Sequence, residues 1–321
     1  MLLRACVATL VTCGLSASLV FAQDRAIHPK IQEMLPLVSE ARIQATISKL
    51  ESFGTRHTLS SPDDPVRGIG AARTWLLQEF QSYSPRLQVR FDKFRVKKQG
   101  QRIFKDVDLY NVIAVLPGKK MPGSIVLVSG HYDSLNLGAR PATPAAPVSD
   151  AGAPGNTTAG MTPADFEKSA ALPAPGACDD ASGTAAVLEL ARVMSQYEFD
   201  KTLMFVSFAG EEQGLIGSSL QATKARNENL AIEAMLNNDI IGTDAGGNGH
   251  TGNSAVNIYS DESMDSLSQQ LSRYFREVGQ RYLPSFNVNT IFMGDRLGRG
   301  GDHTPFQWEG FAAIRVSTPL E

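Results

Sequence analysis

The chain has 321 residues, of which 42% are hydrophobic and 20% charged, and its formal net charge is −3. This is the composition of an ordinary globular protein, long enough for one large α/β domain or two small ones. With no basic stripe and no run of like charge, the sequence excludes nucleic acid as an expected partner and shows no charged tail.

Residues 1–22 read as a secretory signal peptide. Arg4 precedes an uncharged, moderately apolar stretch, and Val20 and Ala22 stand at −3 and −1 of a cut before Gln23. The stretch approaches membrane-spanning length, but its Ser, Thr, Gly and Ala content makes it a weak anchor. The expectation is an exported protein, periplasmic or extracellular, with residues 23–321 as one domain and no membrane insertion after cleavage. Cys6 and Cys13 leave with the signal, so Cys178 has no intrachain disulfide partner and reads as small buried filler.

After a short leader, "SEARIQATISKLESFG" predicts a helix capped by Ser39 and stopped at Gly54. A turn rich in Pro and Asp follows, then a second helix in "IGAARTWLLQEFQSY", with Ile69, Ala72, Leu76 and Phe80 at helical spacing. "LQVRFDKFRV" alternates like an edge strand, whereas "YNVIAVLPG" and "SIVLVSG" are the continuous apolar runs of buried strands. Then come a helix in "GTAAVLELARVMSQY", a strand in "TLMFVSFAG" and a helix in "IGSSLQATKARNEN". Strands in "IEAMLNND" and "AVNIYSD", a helix within 262–282 and a last strand in "FAAIRVST" complete the series. The expected fold is α/β: a three-layer sandwich with a mostly parallel, mixed central sheet and helices on both faces. From Ala139 to Ala177, 23 of 39 residues are Ala, Pro or Gly, which marks an inserted surface loop. Within it Thr162 and Pro163 open one short helix, and Asn156-Thr157-Thr158 fits a glycosylation acceptor pattern.

In open α/β sheets, sites form beyond the carboxyl ends of the strands. "SIVLVSG" delivers His131 and Asp133, "TLMFVSFAG" delivers Glu211 and Glu212, and "IEAMLNN" delivers Asp239, with no Lys or Arg beside them in sequence. Carboxylates gathered in one crevice cost several kcal/mol unless a cation pairs with them. Asp179 and Asp180 precede a helix, where one of them serves as an ordinary N-cap. His303 lies in a glycine-rich loop before the last strand. His28, His57 and His250 follow no apolar run and rank lower. A mixed set of imidazole and carboxylate without thiolate suits zinc, with manganese or cobalt as substitutes, and calcium or magnesium would not need the histidines.

"HYDS" at 131–134, "CDDASG" at 178–183, "GEEQGLIGS" at 210–218, "NND" at 237–239 and "GGDHTPF" at 300–306 resemble, in order, the bacterial di-zinc aminopeptidases. Glutamate carboxypeptidase and transferrin-receptor-like proteins belong to the same broader group. The resemblance implies an exported peptidase acting on peptides, with two zinc ions. It places His131 and Asp239 on one ion, Glu212 and His303 on the other, and Asp179 between them. Glu211 would be the general base for the attacking water and Asp133 would stand behind His131, and the peptide bond after Asp179 would be cis. The inserted loop is longer than the family's usual connection. Relatives also continue into a closing helical segment after the last strand, so the C-terminus reads as a shortened one. Arg296 and Arg299, near His303, are candidates for a substrate carboxylate, with solvated loop residues as the plainer reading. Two other functions use the same scaffold, although the complete ligand set and base speak for the peptidase. A glutaminyl cyclase on the same fold would need one zinc, and a non-catalytic binding domain would need none. Side-chain preference, the end of the peptide attacked and oligomeric state are not written in the sequence.

Overall fold

The computed structural model describes residues 27–138, 161–246, 249–296 and 299–320. The predicted signal segment 1–22, the Asn156 triplet and the 139–160 part of the inserted loop lie outside the described residues. Helix α1 (Pro29–Met34) is a short leader element, and α2 (Glu40–Ser52) begins as expected, with the Ser39 hydroxyl accepting the N–H of Arg42. Helix α3 (Gly68–Tyr83) packs on strands β1 (Gln88–Val96) and β2 (Val107–Leu116), and β3 (Met121–His131) follows. The inserted loop returns through α4 (Pro163–Ser169), where Thr162 and Asp165 cap each other's backbone N–H groups in a capping box. Next come α5 (Ser182–Met194), β4 (Lys201–Phe208), α6 (Ile216–Asn227), β5 (Ala231–Asn238) and β6 (Ala255–Tyr259). The chain ends with α7 (Leu267–Tyr282), β7 (Asn287–Ile291), α8 (His303–Trp308) and β8 (Ala313–Ser317).

The eight strands form one mixed sheet in the order β1-β2-β4-β3-β5-β8-β6-β7. The neighbours β4, β3, β5 and β8 are parallel, while β1, β2 and β4 pair antiparallel and β6 runs antiparallel to β8. The continuous apolar runs belong to β2, β3 and β4, inside the sheet, because those strands are covered on both faces. On one face Leu50, Leu76, Phe80, Val187 and Leu188 of α2, α3 and α5 pack against Val112, Ala114, Leu203 and Phe205. On the other, Ala222, Ala225 and Phe306 of α6 and α8 meet Ile113, Leu127, Val206 and Met235. A third cluster joins Leu271 and Phe275 of α7 to Ile258, Val288, Ile314 and Val316. The three-layer expectation is met.

Three elements escaped the sequence, the leader helix α1 among them. Strand β7, "NVNTI", has Val288 as its one buried residue and carries Asn and Thr between, so it lacks an apolar run. Helix α8 has six residues, too few to show a helical period, and His303 opens it rather than lying in a loop. Among the described residues no helix is long and apolar enough to cross a membrane. For function the decisive feature is the position of β3 between β4 and β5. Their carboxyl ends lie side by side along one edge, and the segments that leave them carry His131, the Glu211–Glu212 pair and Asp239.

Candidate metal centre

His131 is the last residue of β3 and is 1% exposed. Its Nε2 stands 3.1 Å from Asp179 Oδ1, 3.8 Å from Asp239 Oδ1 and 4.0 Å from Glu211 Oε2. His131, Asp179 and Asp239 offer ligand atoms that all lie within 4.8 Å of one another. Asp179 reaches this point through the turn Ala177–Ala181, and the Asp179–Asp180 peptide bond is cis, as the resemblance implies. Asp180 is a structural anchor. Its carboxylate accepts the backbone N–H groups of His131 (3.0 Å), Gly183 (2.9 Å) and Ile240 (3.2 Å), tying the ends of β3 and β5 to the start of α5.

The two glutamates sit in a turn opened by Gly210, whose φ of +77° favours glycine. Asp133 fixes that turn: its Oδ1 accepts the Glu211 N–H at 3.3 Å and its Oδ2 accepts the Glu212 N–H at 3.2 Å and the Thr58 hydroxyl at 3.1 Å. Toward His131 Nδ1, the Asp133 carbonyl at 3.2 Å is nearer than its carboxylate at 3.6 Å. Asp133 thus orients the glutamate pair as much as the imidazole. Arg102, from the β1–β2 hairpin, donates to the Glu212 carbonyl.

The remaining two predicted ligands lie outside the three-residue group. Glu212 follows Glu211 in the turn. His303 is fully buried, with Nε2–H donating to the Gly294 carbonyl at 2.6 Å, so Nδ1 carries the lone pair. Burial lowers the His303 imidazole to about 4, which keeps it neutral near pH 7. Burial pushes Glu212 up to about 8, with the Asp179 charge adding to the effect, and raises Glu211 well above the carboxylate range. For His131 burial acts downward, but Glu211, Asp133 and Asp179 outweigh it and raise the imidazole well above its ordinary value. Excess negative charge around a buried imidazole is the environment a divalent cation relieves. The donor atoms fit zinc: His131 Nε2 and His303 Nδ1 are buried without a well-formed hydrogen bond, and carboxylates face the first of them.

Two arginines were not anticipated. Although no cation adjoins the strand ends in sequence, Arg315 of β8 reaches Asp239 Oδ2 with Nε at 3.2 Å. The signal was a lone charge inside the apolar run "FAAIRVST". Arg56 is fully buried and donates to four carbonyls: Tyr132 (2.7 Å), Leu50 (3.1 Å), Pro175 (2.6 Å) and Gly176 (3.0 Å). It binds the strand end at His131 to the returning inserted loop just before Asp179. Arg296 lies beside Asp295, with Nε 3.5 Å from Oδ1.

His57, beside Arg56, is a core residue. Its Nδ1 accepts the Leu59 N–H at 3.0 Å, and burial lowers its imidazole to about 4. The unfolded chain therefore takes up the proton first, and stability falls as pH drops from about 6.5 towards 4. His57→Asn, which keeps an acceptor and cannot be protonated, is expected to flatten that part of the pH–stability curve in urea unfolding. An unchanged slope would remove His57 from the account.

Residues 111–320 match the profile of peptidase family M28. The chain belongs to this family. The M28 chain is 35% identical over 91% of its length to a "Probable zinc metalloprotease" of Pyrenophora tritici-repentis, and 36% identical over 91% to one of Phaeosphaeria nodorum. It spans 66% and 60% of the length of these two relatives. Among solved structures it superposes on the Legionella pneumophila LapA aminopeptidase with a TM-score of 0.63 and 17% identity, covering 97% of this chain and 69% of that one. It also superposes on the Porphyromonas gingivalis glutaminyl cyclase with a TM-score of 0.56 and 17% identity, covering 87% and 83%. These likenesses establish that the M28 chain has the α/β fold of such enzymes.

Proposed function

We propose that this chain is a zinc-dependent peptidase, more narrowly an exported exopeptidase of the aminopeptidase type. The observation that carries the reading is the convergence of His131, Asp179 and Asp239 with Glu211 Oε2 4.0 Å from His131 Nε2. The names of the fungal relatives support zinc and proteolysis, and the LapA likeness supports the aminopeptidase type. Export rests on the signal pattern in residues 1–22.

His131 and Asp239 would hold one ion, Glu212 and His303 a second, and Asp179 both. Bound zinc supplies a Lewis acid for the peptide carbonyl and lowers the pKa of water. The chain's own contribution is Glu211. Its carboxyl, held at the backbone by Asp133, takes a proton from the attacking water and returns it to the leaving amine. The higher proton affinity that burial gives Glu211 suits the first half of this transfer, the uptake of the proton.

A second reading has a specific observation behind it. One three-residue group is gathered among the described residues, and glutaminyl cyclases share the fold. Digestion of a defined peptide mixture by zinc-loaded protein separates the two. Release of single amino acids from amino termini is the expected result. Cyclised amino-terminal glutamine with ammonia released, and no shortened peptide, would replace the peptidase by the cyclase.

A further inference from the structure

Arg315 sits in the middle of the sheet, opposite Asn237 of β5 on one side and Tyr259 of β6 on the other, and is 2% exposed. A guanidinium so placed is costly unless both its charge and its N–H groups are matched. Nη1 donates to Asp295 Oδ2 at 2.7 Å, Nε lies 3.2 Å from Asp239 Oδ2, and the Tyr259 ring centre is 5.9 Å from the guanidinium carbon. Asp295 is itself fixed, since its Oδ1 accepts the Arg296 N–H at 2.6 Å. The preceding residue, Gly294, supplies the carbonyl that holds His303. One short segment therefore reaches both halves of the site, His303 directly and Asp239 through Arg315. These groups converge on Gly301, where a Cβ would stand 3.2 Å from Asp239 Oδ2, 3.3 Å from Arg315 Cδ and 3.3 Å from His303 Nδ1.

Resting on the zinc reading above, we propose that Arg315 and Asp295 are a positioning pair that grips Asp239 by Oδ2, presents Oδ1 beside His131 Nε2, and so sets the zinc affinity of the site. Charge neutralisation alone would not need this arrangement. The planar guanidinium donates Nη1–H to Asp295 and sets Nε beside Asp239 Oδ2 as an ion-pair contact without a well-formed hydrogen bond, a placement of one charge between two carboxylates that a single ammonium cannot reproduce with the same geometry. Groups that orient a metal ligand from behind typically contribute about 10–100-fold to metal affinity.

The test is zinc affinity of the chelator-stripped full chain, measured by competition with a chromogenic chelator, alongside the melting temperature of the same metal-free samples. Arg315→Lys keeps the charge and loses the two-point grip. The double variant Arg315→Met with Asp295→Asn removes one charge of each sign, and Asp295→Asn alone is the mildest change. The expected result is a zinc Kd about 10–100-fold higher for Arg315→Lys and for the double variant, with a smaller rise for Asp295→Asn. Folded variants with lowered melting temperatures and wild-type zinc affinity would show a merely structural ion pair and overturn the proposal. His131→Ala distinguishes the two levels. If it loses zinc while the Arg315 and Asp295 variants keep it, positioning fails and the metal site stands. If it takes up zinc like the wild type, the metal site itself fails and the positioning role with it.

Discussion

Glu211→Gln should keep its zinc and lose kcat by about 10²–10⁴-fold, the usual contribution of a positioned general base. Glutamine preserves the shape and the backbone N–H to Asp133, so the turn remains in place. What disappears is the only property the mechanism asks of this side chain, the ability to accept and return a proton. Glu211 is well suited to it: its side chain is 15% exposed and it faces the three-residue group through His131. Glu212→Gln should behave differently. That carboxyl is proposed as a ligand, so its loss should lower zinc content as well as kcat. Parallel measurement of kcat and bound zinc separates the two roles, and a fully active Glu211→Gln would end the mechanism.

Arg56→Met should destabilise the protein by about 2–5 kcal/mol in urea unfolding, since each buried carbonyl left without its donor costs about 1–3 kcal/mol. The Tyr132 and Leu50 carbonyls would lose this donor where they are buried, and the Pro175 and Gly176 carbonyls where they are partly exposed. Pro175 and Gly176 lead into Asp179, so zinc affinity should fall with stability. Arg67→Met is the control. Arg67 is exposed, donates to Ala171 at 3.4 Å, and should change stability by no more than about 0.5 kcal/mol. Equal stability of the two variants would refute the clamp.

The reach of the sequence follows from the same physics. "SIVLVSG" and "TLMFVSFAG" announce central strands because burial on two faces demands unbroken apolar runs, and the residues that follow them announce a site. The resemblance then ordered those residues, and His131, Asp179 and Asp239 do meet. "TRHT" at 55–58 could not be read in the same way. Four polar residues look like a surface turn, yet all are buried: Arg56 and Thr58 meet carbonyls and Asp133 brought in by distant parts of the chain, while Thr55 and His57 accept N–H groups within the turn. Periodicity is blind to such long-range satisfaction of polar groups. Arg315 was visible as an anomaly in an apolar strand, but its partner Asp295 lies 20 residues upstream in a stretch without pattern.

The central claim is a zinc centre built on His131, Asp179 and Asp239 and extended by Glu212 and His303. Its most direct test is the number of zinc ions bound per chain at equilibrium, with chelator-stripped protein dialysed against zinc. Two ions in the wild type, and loss of binding in His131→Ala, are predicted. A wild-type chain that binds no zinc would contradict the account.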